Sequence, residues 1–351
     1  MFARNCWHVA AWDHEIQRLK LTRRLLLGEP VLLYRKGDGA PVALEDRCCH
    51  RHAPLSHGRL HGDNVECAYH SLVFDPTGAC AHIPSQHAIP KTAKVRAYPL
   101  AEKHHWIWIW MGDPEAADEA LIPDFSVMSD PAWNWRGETL AVEGNYMLVV
   151  ENLMDLSHLP ALHITTLADT AIPPNDIPVD TKLDGATITV ERWVLDTPVP
   201  PYFRLLGDFT KEDRVDRWMN THFNPPSFVR IDIGAAKSGT GAREGDRSQG
   251  LNTWNLNAIT PETEKSSHYF WAQAQNFAGD DPSISEVDFQ LVHQAFQEDL
   301  KIIKGQQENI DLDPDAMRLD LAADKAGVQA RRIVEKMARA EANANTAQAA
   351  V

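Results

Sequence analysis

The segment that decides the fold runs from Cys48 to His70 and reads CCHRHAPLSHGRLHGDNVECAYH. It contains two mixed ligand pairs, Cys48-x-His50 and, after sixteen residues, Cys67-x-x-His70. Each pair is a tight loop that brings one thiolate and one imidazole to a common centre, and such ligands suit zinc or an iron–sulfur cluster. Zinc sites usually place two cysteines before two histidines. The mixed order instead favours two irons, one bound by both cysteines and the other by both histidines.

This pattern resembles the cluster motif of the Rieske non-haem iron oxygenases, C-x-H followed about sixteen residues later by C-x-x-H. The resemblance implies a Rieske [2Fe–2S] cluster held by Cys48, His50, Cys67 and His70. Neutral imidazoles make such a cluster less negative than four thiolates would, and they raise its reduction potential. A structural zinc site is the alternative.

Two positions depart from the family motif. Cys49 stands where proline is common, and Ser71 stands where glycine is common. Spacing favours Cys48 over Cys49 as the ligand, because Cys49 and His50 are directly adjacent. The remaining candidates are interpreted as loop residues near the cluster, some of them donating hydrogen bonds to it: His52, His57, His61, Tyr69 and Cys80. We interpret Cys6 as a small core residue.

Composition narrows the class of protein. The chain has 351 residues, which fits two domains, and 44% of them are hydrophobic. Its net charge of −15 argues against nucleic acid or an anionic membrane as the main partner. The first residues lack the apolar run of a signal peptide, and no apolar stretch of about 18 residues predicts a membrane span. Five cysteines, three of them in one segment, favour metal binding in a reducing cytoplasm over a disulfide framework.

We expect an α+β protein with an all-β Rieske domain over residues 1–115. The run PVLLYRKGDGAPVALED predicts a hairpin that turns at its two glycines, and HHWIWIWMGDP predicts a strand with tryptophans on one face. The acidic, proline-containing run after residue 111 indicates a boundary. Residues 116–310 are expected to form the catalytic domain, which the resemblance implies is helix-grip-like with an antiparallel sheet. Residues 311–351 are expected to form a helical segment and a flexible tail that includes ANANTAQAAV.

A second metal site is predicted in ENLMDLSHLPALH. Asn152, Asp155 and His158 are spaced by three, which places them along one flank of a helix predicted over 145–159. On an undisturbed helix His163 would lie about 140° from His158. Pro160 bends or ends the helix and can redirect His163 toward the same centre. The segment also resembles the family signature D-x-x-H-x-x-x-x-H. The alternative is a polar helix face with two unrelated histidines.

Two histidines and one carboxylate complete a facial triad for non-haem Fe(II). The long helix predicted over 285–309 supplies the carboxylate, because Asp299 falls in its apolar stripe and a buried charge needs a partner such as a metal. Glu298 points about 100° away, and we expect its replacement to be mild. The family places its carboxylate ligand at the position that matches Asp299. The alternative is a solvated aspartate near a helix end.

Three further segments carry the resemblance: FARNCWHVAAW, NYMLVVENLMDLSH and ITPETEKSSHYFWAQAQNF. They indicate the subgroup that includes toluenesulfonate methyl-monooxygenase and the vanillate and dicamba O-demethylases. The resemblance implies an oxygenase component that receives NADH electrons from a separate reductase with a flavin. It implies that O2 is used to hydroxylate a methyl group, or to demethylate a methoxy group, of an aromatic acid.

The resemblance also implies a homotrimer in which electrons pass between neighbouring subunits. Asp155 would bridge His158 and a cluster histidine of the next chain, and such a carboxylate partner is common for metal-bound histidines. Arg230 is a candidate for binding an anionic head group, although it could equally pair with Asp232 on a solvated strand face. Asn257 is a second pocket candidate.

Two rival functions remain open from sequence. One is another reaction of the same family, ring cis-dihydroxylation or N-demethylation, because these enzymes share the metal sites. The other is an electron-transfer or structural protein that holds only the cluster or a zinc. This second rival predicts no mononuclear iron.

Overall fold

The structure, a computed structural model, describes residues 1–164, 179–277 and 282–349, with the side chains after residue 344 left aside. The chain divides by its internal contacts into two units. The first comprises Met1–Ile122, Thr260–Glu264 and the residues from Ala338 onward. The second comprises Pro123–Ile259 and Lys265–Met337.

The first unit is built from short antiparallel strands in three sheets, counted over the described residues. Their orders are β1-β11-β10, β2-β3-β4-β9 and β5-β6-β7-β8. The strands are β1 Trp7–Trp12, β2 Thr22–Leu26, β3 Glu29–Arg35, β4 Pro41–Glu45, β5 Arg59–His61, β6 Asn64–Glu66, β7 Val73–Phe74, β8 Cys80–His82, β9 Ala97–Tyr98, β10 Leu100–Lys103 and β11 Trp106–Trp110.

Sequence patterning explains the core of this unit. Strands β3 and β4 form the predicted hairpin, in which Gly39 adopts a φ of 93° that favours glycine. Strand β11 is buried on both faces. Its isoleucines pack into one apolar cluster, while Trp106 and Trp110 pack against Trp12 and Trp7 of β1. The expected all-β domain is confirmed.

The second unit is an antiparallel sheet covered by helices. Its sheet has seven strands among the described residues, in the order β12-β18-β17-β16-β15-β14-β13. The strands are β12 Asn134–Val142, β13 Val179–Asp184, β14 Thr187–Pro198, β15 Arg214–Asn224, β16 Phe228–Lys237, β17 Leu251–Thr263 and β18 Ser266–Gln275. The helices are α1 Tyr146–Met154, α2 Leu159–Leu162, α3 Pro201–Leu206, α4 Pro282–Leu312 and α5 Lys325–Ala349.

The long helix α4 packs on the sheet through aromatic rings. Trp271 of β18 stacks on Phe289 at 4.7 Å between ring centroids and meets Phe296 edge-on at 4.8 Å. Aromatic pairs with this geometry contribute stability beyond the apolar area that they bury. The antiparallel sheet with its covering helices, together with the all-β first unit, confirms the predicted α+β class. Ile302, which belongs with Phe296 and Ile303 to the predicted apolar stripe of this helix, is 47% exposed.

Two predicted helical features differ from the structure. The helix predicted over 145–159 ends at Met154, because Asp155 takes an extended conformation. The tail expected to be flexible is helical in α5 as far as Ala349. Alanine is the strongest helix former, and a buried stripe, Ala326, Ala330, Val334 and Ala338, repeats every four residues along α5. None of the described helices is long and apolar enough to span a membrane.

Candidate metal centres

The two cysteine–histidine loops of the first unit share one backbone pattern. In the first loop, the amide of Cys48 donates to Ala53 O (2.9 Å) and the amide of His52 donates to Cys48 O (2.9 Å). In the second loop, the amide of Cys67 donates to Leu72 O (2.8 Å) and that of Ser71 donates to Cys67 O (3.0 Å). The two halves of the candidate cluster site are therefore built alike.

The four predicted cluster ligands separate by depth. Cys48 and Cys67 are 2% and 1% exposed, and burial, with a smaller contribution from the neighbouring Cys67 thiol, raises the pKa of Cys48 to about 11. His50 and His70 are exposed, and their ring centroids lie 4.5 Å apart. A buried pair of thiols beside an outer pair of imidazoles fits a two-iron cluster with cysteine on one iron and histidine on the other.

Cys49 differs from this buried pair because its side chain is exposed. The structure thus agrees with the preference for Cys48, and the ligand choice itself stays a prediction. Ser71 adopts a φ of 56°, a conformation that glycine reaches without steric cost. The backbone therefore keeps the form expected for the family's glycine.

The other residues near the loops have ordinary partners. Nε2 of His61 lies 2.5 Å from a carboxylate oxygen of Glu66, and the ring of Tyr69 lies 3.9 Å from that of His70. Cys80 is buried and donates to His82 O at 3.4 Å. Burial raises the pKa of Cys6, which agrees with its expected place in a core.

The second unit brings His158, His163 and Asp299 together. Ligand atoms of these three residues all lie within 4.8 Å of one another. Asp299 Oδ1 is 3.6 Å from Nε2 of His158 and 3.3 Å from Nε2 of His163. Two imidazoles and one carboxylate around a common point fit a facial triad for iron. The side chain of Asn152 donates to Asp299 Oδ1 at 2.9 Å, so Asn152 orients this carboxylate.

The backbone between α1 and α2 brings His158 and His163 together in a way that one continuous helix would not. Helix α1 ends before Asp155, a turn follows, and His158 is the residue before the short helix α2. Pro160 lies in the first turn of α2, where its missing amide costs no hydrogen bond. Asn152, Asp155 and His158 therefore do not lie along one flank of a single helix, as the spacing had predicted. The break in the helix directs His158 and His163 to one centre.

Asp155 still contacts His158, with 3.7 Å between its Oδ2 and the imidazole Nδ1. Burial opposes ionisation of Asp155. The neighbouring His158 and hydrogen bonds from Ser157 outweigh burial and hold the pKa of this carboxyl below its usual range. Asp155 is therefore a carboxylate at neutral pH, and it faces the imidazole nitrogen that points away from Asp299.

Glu298 has a contact that helical spacing did not predict. Its Oε2 lies 2.7 Å from Nδ1 of His163, the nitrogen remote from Asp299. Metal-bound histidines commonly donate their second N–H to a carboxylate. The expectation that Glu298 is dispensable is therefore revised. In the sequence, the feature that could have pointed to this role of Glu298 is its position next to Asp299.

A cavity adjoins the triad. Apolar side chains form most of its wall, and Arg217 and Asn255 contribute polar groups. Its wall consists of Asn152, Leu153, Asp155, Leu156, His158, Leu159, His163, Pro200, Tyr202, Phe203, Arg217, Met219, Ile231, Ile233, Asn255, Val292, Ala295, Phe296 and Asp299.

Neither pocket residue proposed from the sequence lies on this wall. Arg230 donates to Asp124 O at 2.8 Å and lines a different cavity. Its strand neighbour Asp232 pairs instead with Arg247 at 2.6 Å. Asn257 is fully buried and donates to Val229 O at 3.0 Å. Arg217 is the arginine of this wall, and alternation along β15 could have placed it on a strand face without showing which face lines the cavity.

A chain of buried hydrogen bonds supports the polar part of the cavity. Tyr269 OH donates to Asn257 Oδ1 (2.6 Å), and Asn257 Nδ2 donates to Asn255 Oδ1 (2.7 Å). Asn255 Nδ2 then donates to Gln273 Oε1 (3.1 Å), and Gln273 Nε2 donates to Asp288 Oδ2 (3.1 Å).

Tyr202 lies at the other end of this series of hydrogen bonds. Its hydroxyl donates to Asp288 Oδ1 at 2.6 Å. Burial raises the pKa of Asp288 to about 6, against the effect of its two hydrogen bonds. The hydrogen bonds that link these residues therefore all run toward Asp288, and two of the residues, Tyr202 and Asn255, reach the cavity wall.

A cysteine–histidine cluster site and a two-histidine, one-carboxylate site in one chain define a Rieske-type non-haem iron oxygenase. The family models agree: the Rieske [2Fe–2S] domain matches residues 6–99, and the vanillate O-demethylase oxygenase C-terminal domain matches residues 142–340. The chain belongs to this family of Rieske monooxygenases, whose members are oxidoreductases.

Several named proteins are similar over nearly their whole length. The toluene-4-sulfonate monooxygenase system iron–sulfur subunit of Comamonas testosteroni is 41% identical over 99% of this chain and 100% of its own. The vanillate O-demethylase oxygenase subunit of a Pseudomonas species is 35% identical over 90% and 96%. A crystal structure of dicamba monooxygenase bound to 3,6-dichlorosalicylic acid superposes with a TM-score of 0.88, at 34% identity and over 97% and 99%.

Proposed function

We propose that this protein is the oxygenase component of a multicomponent monooxygenase that oxidises the methyl or methoxy group of an aromatic acid. A partner reductase supplies electrons from NADH. The similar proteins are named for toluene-4-sulfonate, vanillate and dicamba, which are aromatic acids with a methyl or methoxy group. We propose that the present chain acts on the same class of aromatic acids.

One observation supports the proposal most directly: the triad lies on the wall of a largely apolar cavity. His158, His163 and Asp299 would hold a mononuclear iron, and Cys48, His50, Cys67 and His70 would hold the Rieske cluster. When bound, the iron supplies the oxidation of a C–H bond by O2, and the cluster supplies electrons. A substrate methyl group placed in this cavity would be directed at the triad.

The chain's own residues position the iron ligands and exclude water. Asn152 donates to Asp299 Oδ1, and Glu298 contacts Nδ1 of His163, so both ligands have a partner that favours one orientation. Side chains such as Phe203, Ile231 and Phe296 cover the cavity with apolar surface. An apolar wall favours an aromatic ring over water and protects the reaction from side reactions with solvent.

We propose in addition that the active form is a homotrimer in which Asp155 carries the connection between neighbouring subunits. The support is its ionised carboxyl beside the outer nitrogen of His158, because one carboxylate can accept hydrogen bonds from two imidazoles. In the proposed trimer the second imidazole is His70 of the adjacent chain.

The test is a reconstitution with iron and a surrogate flavin reductase. We expect about three irons per chain from the proposed site assignment, and NADH-dependent O2 uptake with at least one aromatic acid that has a methyl or methoxy substituent. One labelled oxygen atom in the product establishes monooxygenation, and two establish ring dihydroxylation. Two irons or none per chain, with no O2 uptake, would favour an electron-transfer or structural role and would contradict the proposal.

A further inference from the structure

We infer that Arg217 binds the anionic head group of the substrate and thereby turns its methyl or methoxy group toward the triad. This inference rests on the proposed function and names the residue that selects aromatic acids. Arg217 lies on β15, where it pairs with Ala235 of β16, while Met219 pairs with Ile233. Residues two apart on a strand share a face. Arg217 and Met219 therefore form part of one cavity floor.

The rest of this floor is apolar except for one amide. Ile231 and Ile233 of β16 and Asn255 of β17 also line the cavity, and Asn255 pairs with Ile231 across the strands. The amide of Asn255 is already held on both sides within the buried hydrogen-bond chain. Arg217 is thus the cationic side chain of the cavity wall, as far as the described residues show.

A second, smaller cavity shares part of this wall. Both cavities are lined by Leu159, Phe203, Arg217, Met219 and Ile233. The smaller cavity adds Arg192, Val194, Pro160 and Trp218, and no carboxylate occurs among the described residues that line it. Two guanidinium groups therefore line a space next to the triad cavity, and such a space suits a sulfonate or carboxylate.

The distribution of charge in the main cavity sets the direction of the substrate. Its carboxylates, Asp155 and Asp299, both contact the imidazole of His158, at the triad. Fe(II) bound at the triad would largely offset these two negative charges, so the attraction of Arg217 for an anion would set the direction. An aromatic acid would therefore place its head group at Arg217 and its ring along the apolar floor. Its methyl group would then face the triad.

Arg230, the arginine that the sequence suggests for binding the anionic head group, occupies a different place. It is an arginine of the next strand, β16, but its guanidinium donates to Asp124 O and to Asn224 Oδ1 and lines a different cavity. The two arginines thus differ in location. Only Arg217 occupies a wall that also contains the proposed iron ligands.

The experiment compares matched charged and neutral probes with the iron- and cluster-loaded protein. Calorimetry measures binding of 4-toluenesulfonate and 4-methylbenzoate, and of their neutral amides. We expect Arg217→Met to weaken binding of both anions by about 10- to 100-fold, since hydrogen bonds to charged groups contribute a free energy of this size. Binding of the amides should weaken less, by about 2- to 10-fold at most, which is the range of a hydrogen bond without charge. Arg217→Lys, which retains charge but not the planar fork, should fall between.

The control is Arg214→Met, on the same strand, because Arg214 is exposed and pairs with Asp196. It should leave binding of all probes unchanged, and unaltered iron and cluster content should show that the variants fold. If Arg217→Met weakened binding of anions and amides equally, or weakened neither, the inference would be overturned. Turnover of an aromatic acid by the parent protein would in that case still support the proposed function. If the parent protein bound neither anion and oxidised no aromatic acid, both proposals would fail.

Discussion

His163 and Glu298 form a direct contact, with 2.7 Å between the imidazole Nδ1 and the carboxylate Oε2. The next residue, Asp299, lies 3.3 Å from the other nitrogen of the same ring. Consecutive carboxylates of α4 therefore contact both nitrogens of one imidazole. Because Nδ1 faces a carboxylate, the proton is expected on Nδ1, and the lone pair of Nε2 is left for a metal.

The first prediction follows from this contact. Glu298→Ala should weaken binding of the mononuclear iron by about 10- to 100-fold, because His163 loses the partner that fixes its orientation. Iron affinity measured by chelator competition checks this, and the visible spectrum of the Rieske cluster should remain that of the parent. Gln297→Ala, at an exposed position one residue earlier, is the matched control and should bind iron normally. Parental iron affinity in Glu298→Ala would show that His163 is oriented by other contacts.

The second prediction concerns the cluster thiols. Cys48→Ser should lose the visible Rieske absorption, because Cys48 forms half of the buried thiol pair. Cys49→Ser should keep it, because the Cys49 side chain is exposed. Absorption spectra and iron content of the two purified variants distinguish them. Loss of the cluster in Cys49→Ser, with retention in Cys48→Ser, would reverse the ligand assignment.

The third prediction concerns Asp155. Asp155→Asn should keep most of its iron at both sites, since Asp155 contacts His158 on the side away from Asp299. An amide carries no charge to favour the N–H forms of two histidines, so turnover should fall by about a hundredfold or more. Cluster reoxidation is followed in a single turnover after reduction in advance. Reoxidation at the parental rate would exclude the bridge, and loss of mononuclear iron would instead make Asp155 part of the metal site.

The fourth prediction concerns the pH dependence of stability. The pKa of Asp288 is about 6 in the folded protein, above the ordinary value of 3.8, so folding disfavours its charged form. Deprotonation of Asp288 should therefore lower the free energy of unfolding by about 3 kcal/mol in total as the pH rises from about 4 to about 6. Above pH 6 the loss is complete. Asp288→Asn has no such titration, so its stability relative to the parent should increase across this range.

Urea denaturation of both proteins between pH 4.5 and 7.5 measures the difference. Tyr202→Phe serves as a second variant, because the Tyr202 hydroxyl donates to Asp288 and lowers its pKa. Removing that hydroxyl should move the transition to higher pH. A stability difference between Asp288→Asn and the parent that does not vary with pH would contradict the assignment.

The fold and the ligand types could be predicted because they depend on local patterns. The spacing of Cys48 and Cys67 with their histidines indicated the cluster, and helical periodicity placed Asp299 on the buried side of α4. The role of Glu298 could not be predicted in this way. Periodicity gives the direction of a side chain on its own helix, whereas its partner His163 comes from a separate segment.

The substrate pocket shows the same limit. Alternation along β15 and β16 sorts Arg217 and Arg230 onto strand faces, but the position of the cavity depends on which helices cover the sheet. The end of helix α1 at Asp155 could not be predicted from the local sequence either. No proline or glycine occurs in the sequence at this point, and Asp155 nevertheless takes an extended conformation that ends α1.

The hydrogen-bond chain from Tyr269 to Asp288 has a consequence for redesign of the cavity. Each amide in it accepts from one neighbour and donates to the next, so no single amide can be reversed without facing a donor with a donor. Asn255 therefore presents one fixed polarity to any ligand. A library that varies Asn255 alone would mostly sample broken networks, and a change of polarity at this point of the wall requires that Asn255, Asn257 and Gln273 be exchanged together.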